Sequence, residues 1–329
     1  MSASRVRRPR PVGLALAAVA LAVAAVVPFA AAKRGRVTVV RDLAYAPADP
    51  AGSRGHLLDL WLPPGGRSGA PRPVLVWSGG SGWMSDAGKD SAEPIARYFT
   101  ARGYAVAGVS VRSSAQAVFP AQVHDVKAAV RWLRGNASQH GLDPGRVAVM
   151  GDSSGGWLAA MAALTWDRPE LEGEVGVTGP PSRVQAAVDL YGPTEFLGLD
   201  EQMLPGACEE FNAAYGLRDC HADPGSPESR LMGFPIRERP HLVAQASPVT
   251  YASSAAPPML IMHGQRDPLV PEEQSRVLHA ALRREAAPVT YVPVPGAGHS
   301  WRQVLAEGRM AQVAGFLNAA LEHDPGPHP

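Results

Sequence analysis

The fold is decided by the stretch RVAVMGDSSGG, residues 146–156 of 329. The pattern predicts a short buried strand at 146–150, a turn that matches Gly-x-Ser-x-Gly, and a helix that begins near Gly156. A sharp strand-to-helix turn strains the serine backbone and leaves no room for side chains two residues to either side, so glycine is needed there. Ser153 is therefore predicted to be a nucleophile at the positive end of a helix. The alternative is a glycine-rich turn without chemistry.

Continuous apolar runs surround this stretch and alternate with helical patterns. Further strands are predicted at 37–40, 56–62, 74–77, 104–111, 184–190, 258–263 and 289–294, and helices at 123–133 and from about 303 to 321. Apolar runs that do not alternate with polar residues are typical of strands buried on both faces, as in parallel sheets. The prediction is an α/β fold with a mostly parallel central sheet and helices on both faces.

Two later segments supply the base and the acid that a serine hydroxyl needs to act as a nucleophile near neutral pH. Asp267 follows the predicted strand at 258–263, and His299 lies in the loop GAGHSW after the last strand. Singly, each could be an ordinary loop residue. The order Ser153, Asp267, His299 at successive strand ends matches the triad order of α/β-hydrolases. His263 precedes a turn and is interpreted as structural.

A tetrahedral intermediate also needs hydrogen-bond donors for its oxyanion. One is expected from the backbone N–H of Ser154, the residue after the nucleophile. The others are expected from the glycine-rich loop SGGSGW at 78–83, where the backbone can approach a substrate oxygen. Ser81 and Gly82 are assigned there.

The segment 199–240 departs from the strand–helix alternation, because it is polar and rich in glycine and proline. We interpret it as an insertion. It contains the two cysteines of the chain, Cys208 and Cys220, which are expected to form a disulfide if the protein is exported. A catalytic or metal-binding thiol is the alternative, but metal-ligand spacing is absent from the sequence around them. No metal or cofactor is expected.

Charge and composition exclude other classes of protein. Lys and Arg number 31 against 30 Asp and Glu, giving a net charge of +1, so there is no basic excess to bind nucleic acid. Hydrophobic residues make up 46% and charged residues 19%, as in a globular protein with a core. No nucleic-acid partner is expected.

The first 32 residues have the pattern of an export signal. Arginines precede an uncharged stretch at 11–32 that ends in three alanines, the small residues at which signal peptidase cleaves. We expect cleavage after Ala32, leaving a secreted catalytic domain at 33–329. The alternative is a retained N-terminal membrane anchor, with the domain facing outside the cytoplasm, because the stretch is long enough to span a bilayer.

From about residue 56 to 320 the chain resembles the α/β-hydrolase esterases close to the hormone-sensitive-lipase and feruloyl-esterase-like groups. The matching segments are LDLWLP at 58–63, the glycine loop before Trp83, DVKAAVRWL at 125–133, GDSSGG at 151–156, YGPT at 191–194, ASPVTY at 246–251 and 263–271.

The resemblance implies hydrolysis of carboxylic esters without a cofactor or metal. It assigns the triad to Ser153, Asp267 and His299 and the oxyanion donors to Ser81, Gly82 and Ser154, and it places the insertion over the catalytic face as a cap-like segment. The loop departs from the family pattern. Gly79 stands where a bracing histidine is usual, and Ser81 where a glycine is common.

The resemblance also implies the substrates, which are short-chain or small aromatic acyl esters, either small molecules or esters linked to polysaccharide. A prolyl-oligopeptidase-like peptidase is a second interpretation, because that class shares the pattern at 263–271. A catalytically inactive binding protein of the same fold is a third, and its only support is the altered loop at Gly79.

Overall fold

The structure is a computed structural model that describes Met1 and residues 36–65, 70–306 and 308–322. Internal contacts divide the chain into residues 1–34 and 35–329, and all strands and helices of the described residues belong to the second unit. Apart from Met1, the expected leader at 1–32 lies outside the described residues. In the described ranges, no helix is both long and apolar enough to cross a membrane.

The described part of the second unit contains one eight-stranded sheet. Its strands are β1 Thr38–Ala44, β2 Leu57–Leu62, β3 Arg72–Ser78, β4 Ala105–Val109, β5 Leu142–Asp152, β6 Ala186–Leu190, β7 Met259–Gly264 and β8 Val289–Val294. The helices are α1 Glu93–Thr100, α2 Ala121–Gly135, α3 Ala137–His140, α4 Ser154–Leu164, α5 Leu199–Gln202, α6 Ala207–Tyr215, α7 Pro227–Met232, α8 Pro240–Val243, α9 Glu273–Arg284, α10 Trp301–Val304 and α11 Arg309–Glu322.

The strand order is β1-β2-β4-β3-β5-β6-β7-β8. The β1–β2 and β2–β4 pairs are antiparallel, and every later pair is parallel. This sheet, with helices packed on both sides, is the α/β-hydrolase arrangement, so the predicted fold class is confirmed.

Side chains of β3 show why the apolar runs are continuous. Val74 and Val76 pack into one hydrophobic cluster with α2, α4 and α9, whereas Leu75 and Trp77 pack into a second cluster with α1 and α11. Because helices cover both faces, successive residues of the strand all meet an apolar neighbour.

Strand register places the functional loops at one edge of the sheet. Ser78 pairs with Gly151, and Gly151 pairs with Asp189 on the next strand. Gly264 pairs with Val294 at the ends of β7 and β8. The loops that follow β3, β5, β7 and β8 therefore all leave from the carboxyl ends of parallel strands, where ligands bind in open α/β sheets.

One element differs from its prediction. The prediction of a single helix from about 303 to 321 is wrong, because the structure has two helices there, α10 and α11. Gly308, directly before α11, has a φ of 81°, a left-handed conformation that a right-handed helix cannot include. The apolar spacing continues across position 308, so periodicity alone predicts one helix where the structure has two.

Candidate active site

The turn after β5 holds Ser153 in a strained conformation, with φ 56° and ψ −125°. Non-glycine residues rarely adopt a positive φ, and such strain is typical of functional turns. A Cβ at Gly151 would collide with the backbone oxygen of Gly155, and a Cβ at Gly155 would collide with the Ser78 carbonyl. The two glycines let the turn fold tightly enough to present Ser153 at the start of α4.

The structure brings the three predicted triad side chains together. The Ser153 hydroxyl donates to Nε2 of His299 over 2.8 Å. On the other side of the ring, Nδ1–H donates to Oδ2 of Asp267 over 2.7 Å. This tautomer leaves Nε2 free to accept the serine proton, which is the arrangement that general-base activation requires.

Asp267 is fully buried and held by several donors. Its Oδ1 accepts the backbone N–H groups of Leu269 and Val270 at 2.9 and 3.0 Å. Its Oδ2 lies 2.7 Å from Nδ1 of His299 and 3.4 Å from Nε2 of His263. Burial alone would raise the pKa of Asp267, but the two imidazoles outweigh it and hold the pKa below its ordinary value. The carboxylate is therefore charged wherever the protein is folded near neutral pH.

The predicted oxyanion donors lie beside Ser153, but they differ in their partners. The Ser81 N–H already donates to Ser154 Oγ over 2.9 Å. In the part of the chain that the structure describes, no hydrogen bond uses the N–H groups of Gly82 or Ser154. Gly82 and Ser154 can thus donate to an oxyanion directly, whereas Ser81 would first have to release the Ser154 hydroxyl.

The glycine-rich loop is braced by the nucleophile turn, without the histidine that Gly79 replaces. The Gly80 N–H donates to Oδ1 of Asp152 over 3.0 Å. The Tyr191 hydroxyl donates to the other oxygen of Asp152 over 3.1 Å, and the Tyr191 ring packs 4.7 Å from the His299 ring. Burial, followed by the charge of Asp152, raises the pKa of Tyr191, so its hydroxyl stays a donor.

A small pocket lies beside Ser153, Ser154 and His299, with a cavity volume of about 20 Å³. One wall comes from the insertion, namely Phe211, Tyr215, His221, Pro227 and Glu228. A disulfide joins Cys208 on α6 to Cys220, which precedes His221. The insertion contributes the side chains that close this pocket.

His221 and Glu228 form an almost fully buried pair in that wall, with side chains 1% and 4% exposed. The imidazole packs on Phe211, with ring centres 4.0 Å apart, and its Nε2 donates to the Leu269 carbonyl over 3.1 Å. Its Nδ1 and Oε2 of Glu228 face each other at 3.0 Å as an ion pair, and neither atom has another hydrogen-bond partner in the described structure. Burial opposes protonation of His221, but Glu228 outweighs it and raises the pKa of the imidazole.

On the opposite side of His299 lies an open groove of about 530 Å³. Its lining includes Glu210 on α6, Arg266 and Gln303. Polar and charged side chains thus border the wide side of the site.

Sequence inspection missed four contributors to this site, which are Asp152, Tyr191, His221 and Glu228. The position of Asp152 inside the Gly-x-Ser-x-Gly turn was a usable signal, because that residue must lie next to the loop after β3. His221 and Glu228 belong to different helical turns of an irregular segment, so no sequence spacing connects them. Across the described residues, no group of three or more His, Cys, Asp or Glu side chains could hold a metal ion.

The fold and the strained serine turn define an α/β-hydrolase. The BD-FAE family model matches residues 58–282, and the chain belongs to that family. This confirms the resemblance seen in the sequence.

Named relatives and solved structures agree with this assignment. Esterase LipQ of Mycobacterium tuberculosis is 33% identical over 264 residues, which cover 79% of this chain and 56% of LipQ. The probable carboxylic ester hydrolase LipM of the same organism is 30% identical over 262 residues, with the same coverage of 79% and 56%. This chain therefore spans little more than half the length of either relative. A truncated carbohydrate esterase from gut microbiota superposes with a TM-score of 0.75 at 29% identity, covering 88% of this chain and 99% of that structure.

Proposed function

We propose that this protein is an exported serine hydrolase that cleaves carboxylic esters with a short acyl group. The observation that carries the proposal is the continuous hydrogen-bonded chain from the Ser153 hydroxyl through His299 to Asp267. An inactive binding protein of this fold would have no need of that alignment beside two unused backbone donors.

The reaction has two halves. Ser153 Oγ attacks the ester carbonyl carbon and its proton passes to Nε2 of His299, while Gly82 and Ser154 donate to the oxyanion. The intermediate collapses, the alkoxide leaves with the proton from His299, and an acyl-serine remains. Water then repeats the sequence, losing its proton to His299 and releasing the acid and free Ser153.

Pocket size supports a short acyl group over an aromatic one. A cavity of about 20 Å³ has space for roughly one water-sized group, which suits an acetyl methyl but not a phenyl ring. The open groove on the other side of His299 suits the alcohol, since His299 must return its proton to that leaving group. An alcohol as large as a sugar unit on a polysaccharide is compatible with the groove.

The test is hydrolysis of p-nitrophenyl esters from acetate to palmitate, and of methyl ferulate, by protein that starts at Lys33. Activity that is highest on acetate, and that falls at least a thousandfold in Ser153→Ala, supports the proposal. Ser254→Ala, an exposed serine far from the site, is the matched control. Activity of Ser153→Ala equal to that of the wild type would contradict the mechanism. A preference for methyl ferulate over the acetate ester would contradict the short acyl group.

Export is part of the proposal. The arginine-rich apolar leader supports it, and so does the Cys208–Cys220 disulfide, because disulfides persist in oxidising compartments. N-terminal sequencing of the protein recovered outside the cytoplasm is expected to begin at Lys33. Recovery of an intact leader would support the anchored alternative.

A further inference from the structure

Three buried polar atoms without a regular hydrogen bond belong to residues that line the pocket beside Ser153. In the described residues, five buried side-chain atoms lack a hydrogen-bond partner, and three of them belong to residues that line this pocket. They are Nε1 of Trp83, Nδ1 of His221 and Oε2 of Glu228. Buried polar atoms are almost always paired in folded proteins, so a cluster of unpaired ones requires an explanation.

The cluster combines both kinds of hydrogen-bonding group. The Trp83 indole N–H is only a donor, and a Glu228 carboxylate is only an acceptor. Nδ1 of His221 faces Oε2 of Glu228 at 3.0 Å, so the imidazole pairs with the carboxylate, which has capacity for a further hydrogen bond, and the indole N–H is the unpaired donor of the set. One small group that both donates and accepts would satisfy this set.

We propose that Glu228 and His221 form a subsite that binds a hydroxyl group next to the ester bond, so that these two residues select hydroxyl-bearing short esters. The inference rests on the proposed esterase function and names a substrate class for it. A hydroxyl donates to Oε2 of Glu228, which His221 holds in place, and accepts from the Trp83 indole N–H, and it fits a cavity of about 20 Å³.

Charge and hydrogen-bonding capacity together disfavour the other small groups. A carboxylate on the substrate would face Glu228, and neither lysine nor arginine is among the described residues that line the pocket. An ammonium group would pair with Glu228, but it accepts no hydrogen bond and would lie beside the His221 imidazole. A methyl group would fit by size but leave the Trp83 indole N–H unpaired, at a cost in binding.

Esters that differ only in hydroxyl versus methyl test the subsite. The acyl pair is methyl glycolate and methyl propionate, the alcohol pair is 2-hydroxyethyl acetate and propyl acetate, and methyl glycinate supplies the ammonium. Hydrolysis is followed in a pH-stat for the wild type, Glu228→Gln and Glu228→Leu. Because each variant is compared with the wild type on the same two esters, the intrinsic reactivity of each ester cancels.

In Glu228→Leu, the ratio of kcat/KM for methyl glycolate to that for methyl propionate is expected to fall about tenfold. Glu228→Gln is expected to show a smaller fall, because an amide oxygen still accepts a hydrogen bond. Glu209→Gln, at an exposed position on α6 of the same insertion, is the matched control. A fall on the alcohol pair instead would support the hydroxyl subsite and assign it to the alcohol side.

Two outcomes overturn the inference while the esterase stands. One is an unchanged hydroxyl-to-methyl ratio for both pairs in folded Glu228→Leu that still cleaves the alkyl esters. The other is wild-type preference for methyl glycinate over methyl glycolate. If the folded wild type cleaves none of these esters, nor p-nitrophenyl acetate, the proposed function itself fails. Thermal unfolding of each variant confirms that it is folded.

Discussion

The site contains two almost fully buried carboxylates that each face an imidazole, and they are held very differently. Asp267 receives two backbone N–H groups and lies against two histidines. Glu228 has one imidazole, 3.0 Å from its Oε2, and that oxygen has no other partner among the described residues. The first carboxylate is saturated by the protein, whereas the second is left with capacity for a ligand.

The difference separates two tasks of the site. A carboxylate that orients a catalytic imidazole must be fixed before substrate arrives, because its geometry sets the tautomer of the base. A carboxylate that recognises substrate contributes selectivity only if the substrate supplies the missing partner. The loop after strand β7 provides the orienting carboxylate, Asp267, and the insertion provides the recognition carboxylate, Glu228.

Asp267→Asn is expected to have the largest effect on this comparison. The amide removes the charge that faces Nδ1 of His299 and presents a donor to a donor, so kcat should fall about a thousandfold or more on every ester. Steady-state kinetics on the acetate and glycolate esters measure it, with the exposed Asp167→Asn as control. A loss confined to hydroxyl-bearing esters would mean that Asp267 acts in substrate recognition rather than in orienting His299.

Removing the disulfide tests the wall that carries Glu228. The double variant Cys208→Ser, Cys220→Ser removes a disulfide between residues 12 positions apart in the sequence. The free energy of unfolding should fall by about 2 to 3 kcal/mol. Because Cys220 directly precedes His221, preference for methyl glycolate over methyl propionate should weaken while hydrolysis of the alkyl ester persists. Denaturant unfolding and the two-ester comparison measure these effects. Equal loss of both activities would place the insertion in the catalytic geometry itself.

His263→Leu sharpens the other side of the comparison and should have the smallest effect. His263 accepts from the Ser275 hydroxyl over 2.7 Å and donates to the Val270 carbonyl over 2.9 Å, which ties the Asp267 loop to the sheet. Its removal should lower kcat about tenfold with KM unchanged, because His263 does not line the pocket.

His263→Gln, which keeps a donor in the side chain, should recover part of that kcat. A rise in KM without a change in kcat would contradict a positioning role for His263. Equal activity in the Leu and Gln variants would show that a side-chain hydrogen-bond donor at position 263 does not contribute to kcat.

Much of the fold and the triad could be predicted because they follow from backbone constraints. The Ser153 turn requires glycines two residues to either side, and parallel strands buried on both faces require continuous apolar runs. Asp267 and His299 could be located because the carboxyl ends of parallel strands meet at one edge. Each of these signals is local in sequence.

The rest depends on tertiary contacts that no local pattern contains. The bracing of the loop at Gly80 by Asp152 needs the register of β3 against β5. His221 meets Glu228 only because an irregular segment folds back over the site. The break at Gly308 was missed because the apolar spacing on either side of it fits one helix.

Ester hydrolysis by this site requires above all that Ser153 is activated in the folded protein. The decisive measurement is labelling with a fluorophosphonate probe, followed by mass spectrometry of the labelled peptide. We predict stoichiometric modification of Ser153 in the native protein, and its loss in Ser153→Ala and after denaturation. Absence of label in folded protein, or label on another serine, would contradict the proposed chemistry.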